Sequence, residues 1–433
     1  MPGSSPMATL SEADVRRIVE DGLRALPLAG KRVLLVVPDG TRTAPIGMMF
    51  RLIHEAIGRE VADLDVMIAL GTHPPMSEAE IRARLEITEE ERLGRYGRVR
   101  LLNHVWDDPA ALVSLGTIPA AEIDALSEGL FSIDVEVTFS RPATTYDQLI
   151  IVGPVLPHEV VGLSGGSKYL FPGIGGPEIL NFFHWLGAVI TNPRIIGHKW
   201  TPVRRVIDRA AAMVPVPCHA FCLVTNDAGL AGAFFGSTNE AWSQAADLSA
   251  RVHIERKAHP FQTVLSCAPL MYDDLWVGGK CMYKLEPVVA DGGELIIYAP
   301  HIHEISPVHG PTIERIGYHV RDYFLRQWDR FRDEPWGILA HSTHVRGIGT
   351  YEDGVERPRI SVTLATGIPE EVCRRVNLGY RDPATIRVSD FENREDEGIL
   401  VVPHAGETLF RLEDPPAWSR TPETGTDHPS EPA

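Results

Sequence analysis

Three short apolar runs limit the kind of sheet this chain can build. They are Val33-Leu34-Leu35-Val36-Val37, Val66-Met67-Ile68-Ala69-Leu70 (led by Asp65) and Leu149-Ile150-Ile151-Val152-Gly153. None alternates with polar residues, so each predicts a strand covered on both faces, as in parallel sheets flanked by helices. Helical apolar spacing over 50–62 and a Ser77-capped, acid-led segment ending at Leu85 supply intervening helices. The pattern returns later in the chain. Val264–Ala268, Leu295–Ala299 and Ile360–Leu364 read as strands, and 273–285 and 313–331 as helices. The expected fold class is α/β: two α/β domains with mainly parallel sheets and the active site in the cleft between them. Residues 8–260 make the first domain and 261–412 the second. Residues 1–9 and the tail 413–433, rich in Pro, Thr, Glu and Ser, are expected to be disordered.

In open α/β sheets ligands gather beyond the carboxyl ends of the strands. Each of the first three runs ends in polar residues. The first leads into Asp39-Gly40-Thr41-Arg42, which is either a capped turn or a guanidinium fork for an anion. The second leads into Gly71-Thr72-His73-Pro74-Pro75, a stiff loop around one imidazole. The third leads into His158 and then Ser164-Gly165-Gly166-Ser167-Lys168. Glycines there let a backbone approach a ligand, and Lys168 is either a phosphate ligand or a reactive amine. The spacing is not that of a P-loop, and no Gly-x-Gly-x-x-Gly follows the first strand. His73 and His158 are candidate acid/base groups, one for each face of a planar intermediate. His184 sits among aromatics in Asn181–Trp185, where a satisfied core histidine is the ordinary reading. Trp276-Val277-Gly278-Gly279-Lys280 heads a helix, and Lys280 could bind an anion there. His301, His303, His341, His344 and Arg346 read as polar site walls or surface, with no carboxylate set at metal-site spacing beside them.

Composition excludes some partners. The net charge of −17 argues against nucleic acid, which needs a basic face. No apolar run approaches the length of a membrane helix, and Met1–Leu10 lacks a signal-peptide pattern. Five cysteines, an odd number, suit a reducing cytoplasm without a disulfide framework; Cys218 and Cys222 read as structural thiols.

Taken together, the motifs Asp39-Gly40-Thr41-Arg42, Gly71-Thr72-His73, and His158 through Ser164-Gly165-Gly166-Ser167-Lys168 to Pro172-Gly173 give a resemblance. From about residue 30 to about 410 the chain resembles the nickel-dependent lactate racemase family. The resemblance implies a nickel-pincer nucleotide, a pyridinium-3-thioamide-5-thiocarboxylic acid mononucleotide, joined covalently to Lys168. It implies His184 as the protein's nickel ligand, in a square-planar site suited to Ni(II). It implies His73 and His158 as the paired acid/base residues. Arg42, Lys280 and Trp276 fall at substrate contacts, and Asp39, Thr41, Gly165, Gly166 and Ser167 in the cofactor-binding shell. The implied chemistry moves the α-hydrogen of a 2-hydroxy acid as hydride and returns it to the other face of the planar 2-keto acid. The implied partners are a small-molecule 2-hydroxy acid and cofactor-synthesis or maturation proteins, with an oligomer possible in principle.

The chain departs from the lactate enzyme pattern at one place. Where that pattern has Tyr-Gln ahead of the lysine, this chain has Trp276-Val277-Gly278-Gly279. The lost amide and added space favour a longer acid, a sugar acid of the D-gluconate 2-epimerase type. The alternatives are a racemase of lactate or another small 2-hydroxy acid, a metal-dependent hydrolase using the histidine clusters, and a non-enzymatic binder of phosphorylated ligands.

Overall fold

The computed structural model describes residues 8–420. Its first sheet holds β1 (Arg32–Pro38), β2 (Asp63–Ala69), β3 (Leu101–Asn103), β4 (Gln148–Pro154), β5 (Cys218–Asn226) and β6 (Gly229–Ser237), in the order β6-β5-β4-β1-β2-β3. Every pairing is parallel except the hairpin of β5 with β6. A second sheet holds β7 (Phe261–Cys267), β8 (Val289–Ala299), β9 (Ser361–Thr366), β10 (Gly379–Tyr380) and β11 (Ile399–Val402), ordered β10-β9-β8-β7-β11 and parallel throughout. The mainly parallel α/β class expected from the unbroken apolar runs is the class observed.

The runs are unbroken because helices cover both faces. Along β1, Leu34 and Val36 enter one core while Val33, Leu35 and Val37 enter the opposite one. Complete burial of a Val or Leu side chain is worth about 1.5–3 kcal/mol, so neither face tolerates a polar residue. The chain leaves β1 for β2 and β3 on one side, and β4 and β5 lie on the other. This reversal puts a crevice at the carboxyl ends of β1 and β4, where Asp39 and the segment after Pro154 emerge.

The helices include α1 (Ile46–Ile57), α2 (Pro177–Ile190), α3 (Pro202–Ala211), α4 (Thr238–His253) and α5 (Trp336–Arg346), and α2 and α5 supply residues to the wall of that crevice. α2 belongs to two cores. Its Phe182, Phe183 and Leu186 join the first, whereas Trp185 and Ala188 join the core of the second sheet. α5 lies against it, and the Gly337 N–H donates to Asn181 Oδ1 at 2.9 Å.

Several element boundaries differ from expectation. The helix expected over 313–331 is three pieces, Gly310–Ile316, Arg321–Arg326 and Trp328–Phe331, because Gly317 at φ +78 ends the first. The helix expected over 273–285 is two single turns, Leu275–Gly278 and Lys280–Tyr283. Within the segment expected to be disordered, 414–420 contains a 3-10 turn, Ala417–Ser419. Arg411 donates to the Ser419 carbonyl at 3.1 Å. Residues 8–9 carry no helix or strand, and the remaining positions of that expectation, 1–7 and 421–433, lie outside the described residues. Among the described residues no helix is long and apolar enough to cross a membrane.

Candidate active site

The strand ends converge on one cavity of about 430 Å³ between the two sheets. The first half of the chain contributes Asp39, Thr41, Arg42, His73, His158, Gly165, Lys168 and His184 to its wall. The second half contributes Trp276, Lys280, His309, His341 and His344.

His73 is held by a short turn, in which its N–H donates to the Leu70 carbonyl at 2.9 Å. Its Nδ1 lies 2.5 Å from Asp39 Oδ2. The other Asp39 oxygen accepts from the Thr41 hydroxyl at 2.6 Å and the Thr41 N–H at 3.0 Å. Burial alone would push the Asp39 carboxyl up. Its bonds to His73 and Thr41 and the Arg42 charge outweigh burial and hold it well below the usual range. An ionised Asp39 fixes a proton of His73 on Nδ1, which leaves Nε2 as the ring atom not engaged by the carboxylate.

His158 stands on a two-residue strand, Pro157–His158, paired with Gly162–Leu163. Its Nδ1 accepts from the Val160 N–H at 3.1 Å and lies 3.3 Å from Glu159 Oε2. Accepting from Val160 leaves a proton on Nε2, whereas donating to Glu159 leaves a lone pair there. Burial, reinforced by Lys168 and Arg42, lowers its pKa well below the ordinary value, so the imidazole is neutral.

The loop that carries Lys168 is clamped from below. Arg204, fully buried, donates to the Leu163 carbonyl at 2.6 Å and to the Gly165 carbonyl at 3.3 Å. Trp242 Nε1 donates to the Ser164 carbonyl at 2.9 Å, and the Arg204 guanidinium stacks on its ring at 3.9 Å. Gly165 and Gly166 take φ +89 and +57 to make the bend. A Cβ on Gly166 would come within 2.8 Å of the Trp242 side chain. Lys168 then projects into the cavity, where burial and the Arg42 charge lower its pKa to about 7. Gly166 and Ser167, expected at the cofactor, instead face α4. The Ser167 hydroxyl lies 3.4 Å from Thr238 Oγ1, and neither residue lines the cavity.

His184 presents one face of α2. Its Nδ1 donates to the Leu180 carbonyl at 2.7 Å, which fixes the tautomer and leaves Nε2 as an available donor atom. Burial lowers its pKa to about 4. Among the described residues no three His, Cys, Asp or Glu side chains are placed to hold a metal ion. A metal beside His184 would take its remaining donors from a bound group.

Arg42 is half-buried, and its guanidinium makes no hydrogen bond to another described residue. Lys280 is buried with its ammonium 4.8 Å from the Tyr272 ring centre, and burial lowers its pKa well below the ordinary value. Trp276 stacks on His341 with ring centres 3.9 Å apart and packs at a tilt against His309 at 4.2 Å. Of the polar residues noted in the second half, His341 and His344 line the cavity. His301 is taken by the Tyr272 carbonyl at 3.0 Å, His303 packs by Gly367, and Arg346 lies outside the lining. Sequence reasoning missed His309, Glu159 and Asn181 as wall residues. Glu159 was legible as the acid next to His158. His309 carried no local signal.

A family profile described as the lactate racemase N-terminal domain matches residues 4–195. The lactate racemase of Thermoanaerobacterium thermosaccharolyticum is 23% identical over 316 residues, 70% of this chain and 68% of that protein. The lactate racemase of Lactiplantibacillus plantarum is 22% identical over 197 residues, 44% of this chain and 41% of that one. A crystal structure of a Thermotoga maritima protein superposes with a TM-score of 0.86 at 30% identity, covering 94% of this chain and 99% of the other. The apoprotein of the Thermoanaerobacterium lactate racemase superposes at 0.68 and 19% identity, covering 93% and 94%, which shows a shared fold. Residues 4–195 thus match the lactate racemase N-terminal domain family, and the fold over most of the chain is shared with the Thermoanaerobacterium apoprotein.

Proposed function

We propose that this protein is an isomerase of the racemase type that inverts C2 of a 2-hydroxy acid, with a sugar acid such as D-gluconate as the favoured substrate, using a nickel-pincer nucleotide joined to Lys168. The observation that carries the reading is one cavity shared by His73 on Asp39, the neutral His158, a largely buried lysine and a histidine with a fixed, available Nε2. The residues fit the cofactor. An amine with a pKa of about 7 is largely available as a nucleophile near neutrality, as a covalent anchor requires. His184 is neutral and oriented, as a metal ligand must be. When bound, the cofactor supplies the acceptor and donor for the α-hydrogen as hydride.

The chain's own residues do the rest. Arg42 and Lys280 hold the substrate carboxylate in the cavity. Nε2 of His73, backed by Asp39, accepts the hydroxyl proton on one face. His158 serves the other face, and its Nδ1 partners Val160 and Glu159 set whether Nε2 gives or takes the proton. Residues 8–260 act as the cofactor-binding unit and 261–412 as the closing unit. The reading carries with it cofactor-synthesis partners and a cytoplasmic setting.

The wall supports a hydroxylated substrate. His341 spends Nε2–H on the Trp276 carbonyl at 3.0 Å, and its buried Nδ1 acceptor has no protein partner. Burial lowers its pKa to about 3, so Nδ1 takes a donor such as a hydroxyl. The competing substrate is lactate or another small 2-hydroxy acid, as the names of the matched relatives suggest. Assay of the nickel- and cofactor-loaded enzyme with D-gluconate, lactate and malate decides it. Turnover of lactate with none of gluconate would sink the sugar-acid reading. Intact mass and metal analysis should find an adduct with about one nickel, lost in Lys168→Ala; turnover by an unmodified chain would overturn the cofactor assignment.

A further inference from the structure

His344 has a second side. It also lines a separate cavity of about 430 Å³, formed at the C-terminal end of α2, at Glu286 and at the strand pair Gly349–Glu352 and Val355–Pro358. Buried polar atoms without a partner among the described residues concentrate there. They are Asn192 Oδ1, Glu286 Oε2, Arg359 Nε and His344 Nε2. Asn192 is 3% exposed and Glu286 0%. Their orientations are fixed by their other atoms. Asn192 Nδ2 donates to the Tyr283 carbonyl at 3.0 Å, and Glu286 Oε1 accepts from the Ile348 N–H at 2.8 Å. A buried acceptor left unmet costs about 1–3 kcal/mol, so such a cluster points to something that meets it.

The charge of the wall says what. Arg194, Arg321, Arg357 and Arg359 line this cavity against only Glu286 and Asp291. In a chain of net charge −17 that is a local reversal of sign. Arg359 is committed to the Val289 and Glu286 carbonyls and to Asp291, and Arg321 to Asp322 and the Val189 carbonyl. Arg357 is exposed at the rim.

We infer that this second cavity is a binding site for a small hydroxylated carboxylate, with its carboxylate at the arginine rim and its hydroxyls on Asn192 Oδ1 and Glu286 Oε2. The carboxylate answers the cations. The hydroxyls supply donors to these two acceptors, which a donor-free inorganic anion such as sulfate does not. The ligand would reach the active cavity only through His344, the one residue named here that lines both. The site stands independently of the reaction assigned above.

Calorimetry on the full-length, cofactor-free chain tests it, with D-gluconate as the probe. The expected result is a binding event that survives Arg42→Met, which disables the active cavity. Arg357→Ala and Asn192→Ala should each weaken that event about tenfold or more, as loss of a charged or buried contact does. Arg357 is exposed, so its variant reads binding even if the buried Asn192 variant fails to fold. The inference falls if no event survives Arg42→Met. It also falls if the surviving event ignores Arg357→Ala, or if inorganic sulfate, which has no O–H donor, displaces gluconate at equal concentration. Failure of the racemase assay with this event intact would refute the proposed reaction and leave the site standing.

Discussion

Replacing Lys168 by Met should stabilise the cofactor-free protein, by an amount that depends on pH. The two side chains have similar length, so the variant removes the charge and keeps the packing. In the fold, burial and the Arg42 charge lower the lysine pKa from 10.5 to about 7. Each unit of pKa displacement corresponds to about 1.4 kcal/mol, so an ammonium so displaced disfavours the folded state by about 4 kcal/mol at pH 7. Lys168 keeps some contact with cavity solvent, which makes that figure a ceiling and a gain of about 1–3 kcal/mol the expected size. The sign follows from the lowered pKa. Wild-type stability is most reduced below pH 7, recovers as pH rises from 7 toward 10.5, and carries no such reduction above it. Urea unfolding of both proteins at pH 6.5, 8 and 10 measures the gap, which should be large at the first and small at the last. Equal stability at pH 6.5, or a gap that does not close with pH, would refute the reasoning. Covalent attachment of a cofactor at Lys168 removes the same charge, so the anchored enzyme should resemble the Met variant.

Three other perturbations separate the roles in the cavity. Asp39→Asn keeps the shape but loses the anion that orients His73, and kcat/KM should fall about 10–100-fold with the Lys168 adduct retained; activity within twofold of wild type would remove Asp39 from that role. His184→Ala should weaken nickel retention, read by metal analysis after gel filtration, while circular dichroism stays native, because among the described residues the ring's only hydrogen bond lies within its own helix. Gly166→Ala should destabilise the chain by about 1–3 kcal/mol in urea, since its Cβ meets Trp242 at 2.8 Å on a backbone at φ +57; an unchanged midpoint would mean that the Arg204–Trp242 clamp yields easily.

Local sequence determined more of the first half than of the second. Val33–Val37 and Leu149–Gly153 could only be doubly covered strands, because no polar residue breaks either run. Their carboxyl ends had to bring Asp39, Arg42 and His158 toward one crevice, and Ser77 had to cap a helix through its bond from Glu80 N–H at 3.3 Å. The roles of Lys168 and His184 were legible only as a resemblance between motifs, since a lysine in a glycine loop and a histidine among aromatics each admit an ordinary structural reading.

The tertiary structure decided what lies across the cleft. His309 and His341 reach the cavity by packing against Trp276, and they are separated from it in sequence by whole elements. His301 and His303 look equivalent to them in sequence, yet the fold turns one onto a carbonyl and packs the other beside Gly367. The same holds in the glycine loop, where Gly166 and Ser167 face α4 while Gly165 and Lys168 face the cavity. The physical reason is range. Strand, cap and turn propensities act over a few neighbouring residues and are written locally. Which of several similar polar groups meets a cavity depends on the packing of α2 against α5 and on the placement of the two sheets, and no short stretch of sequence encodes that.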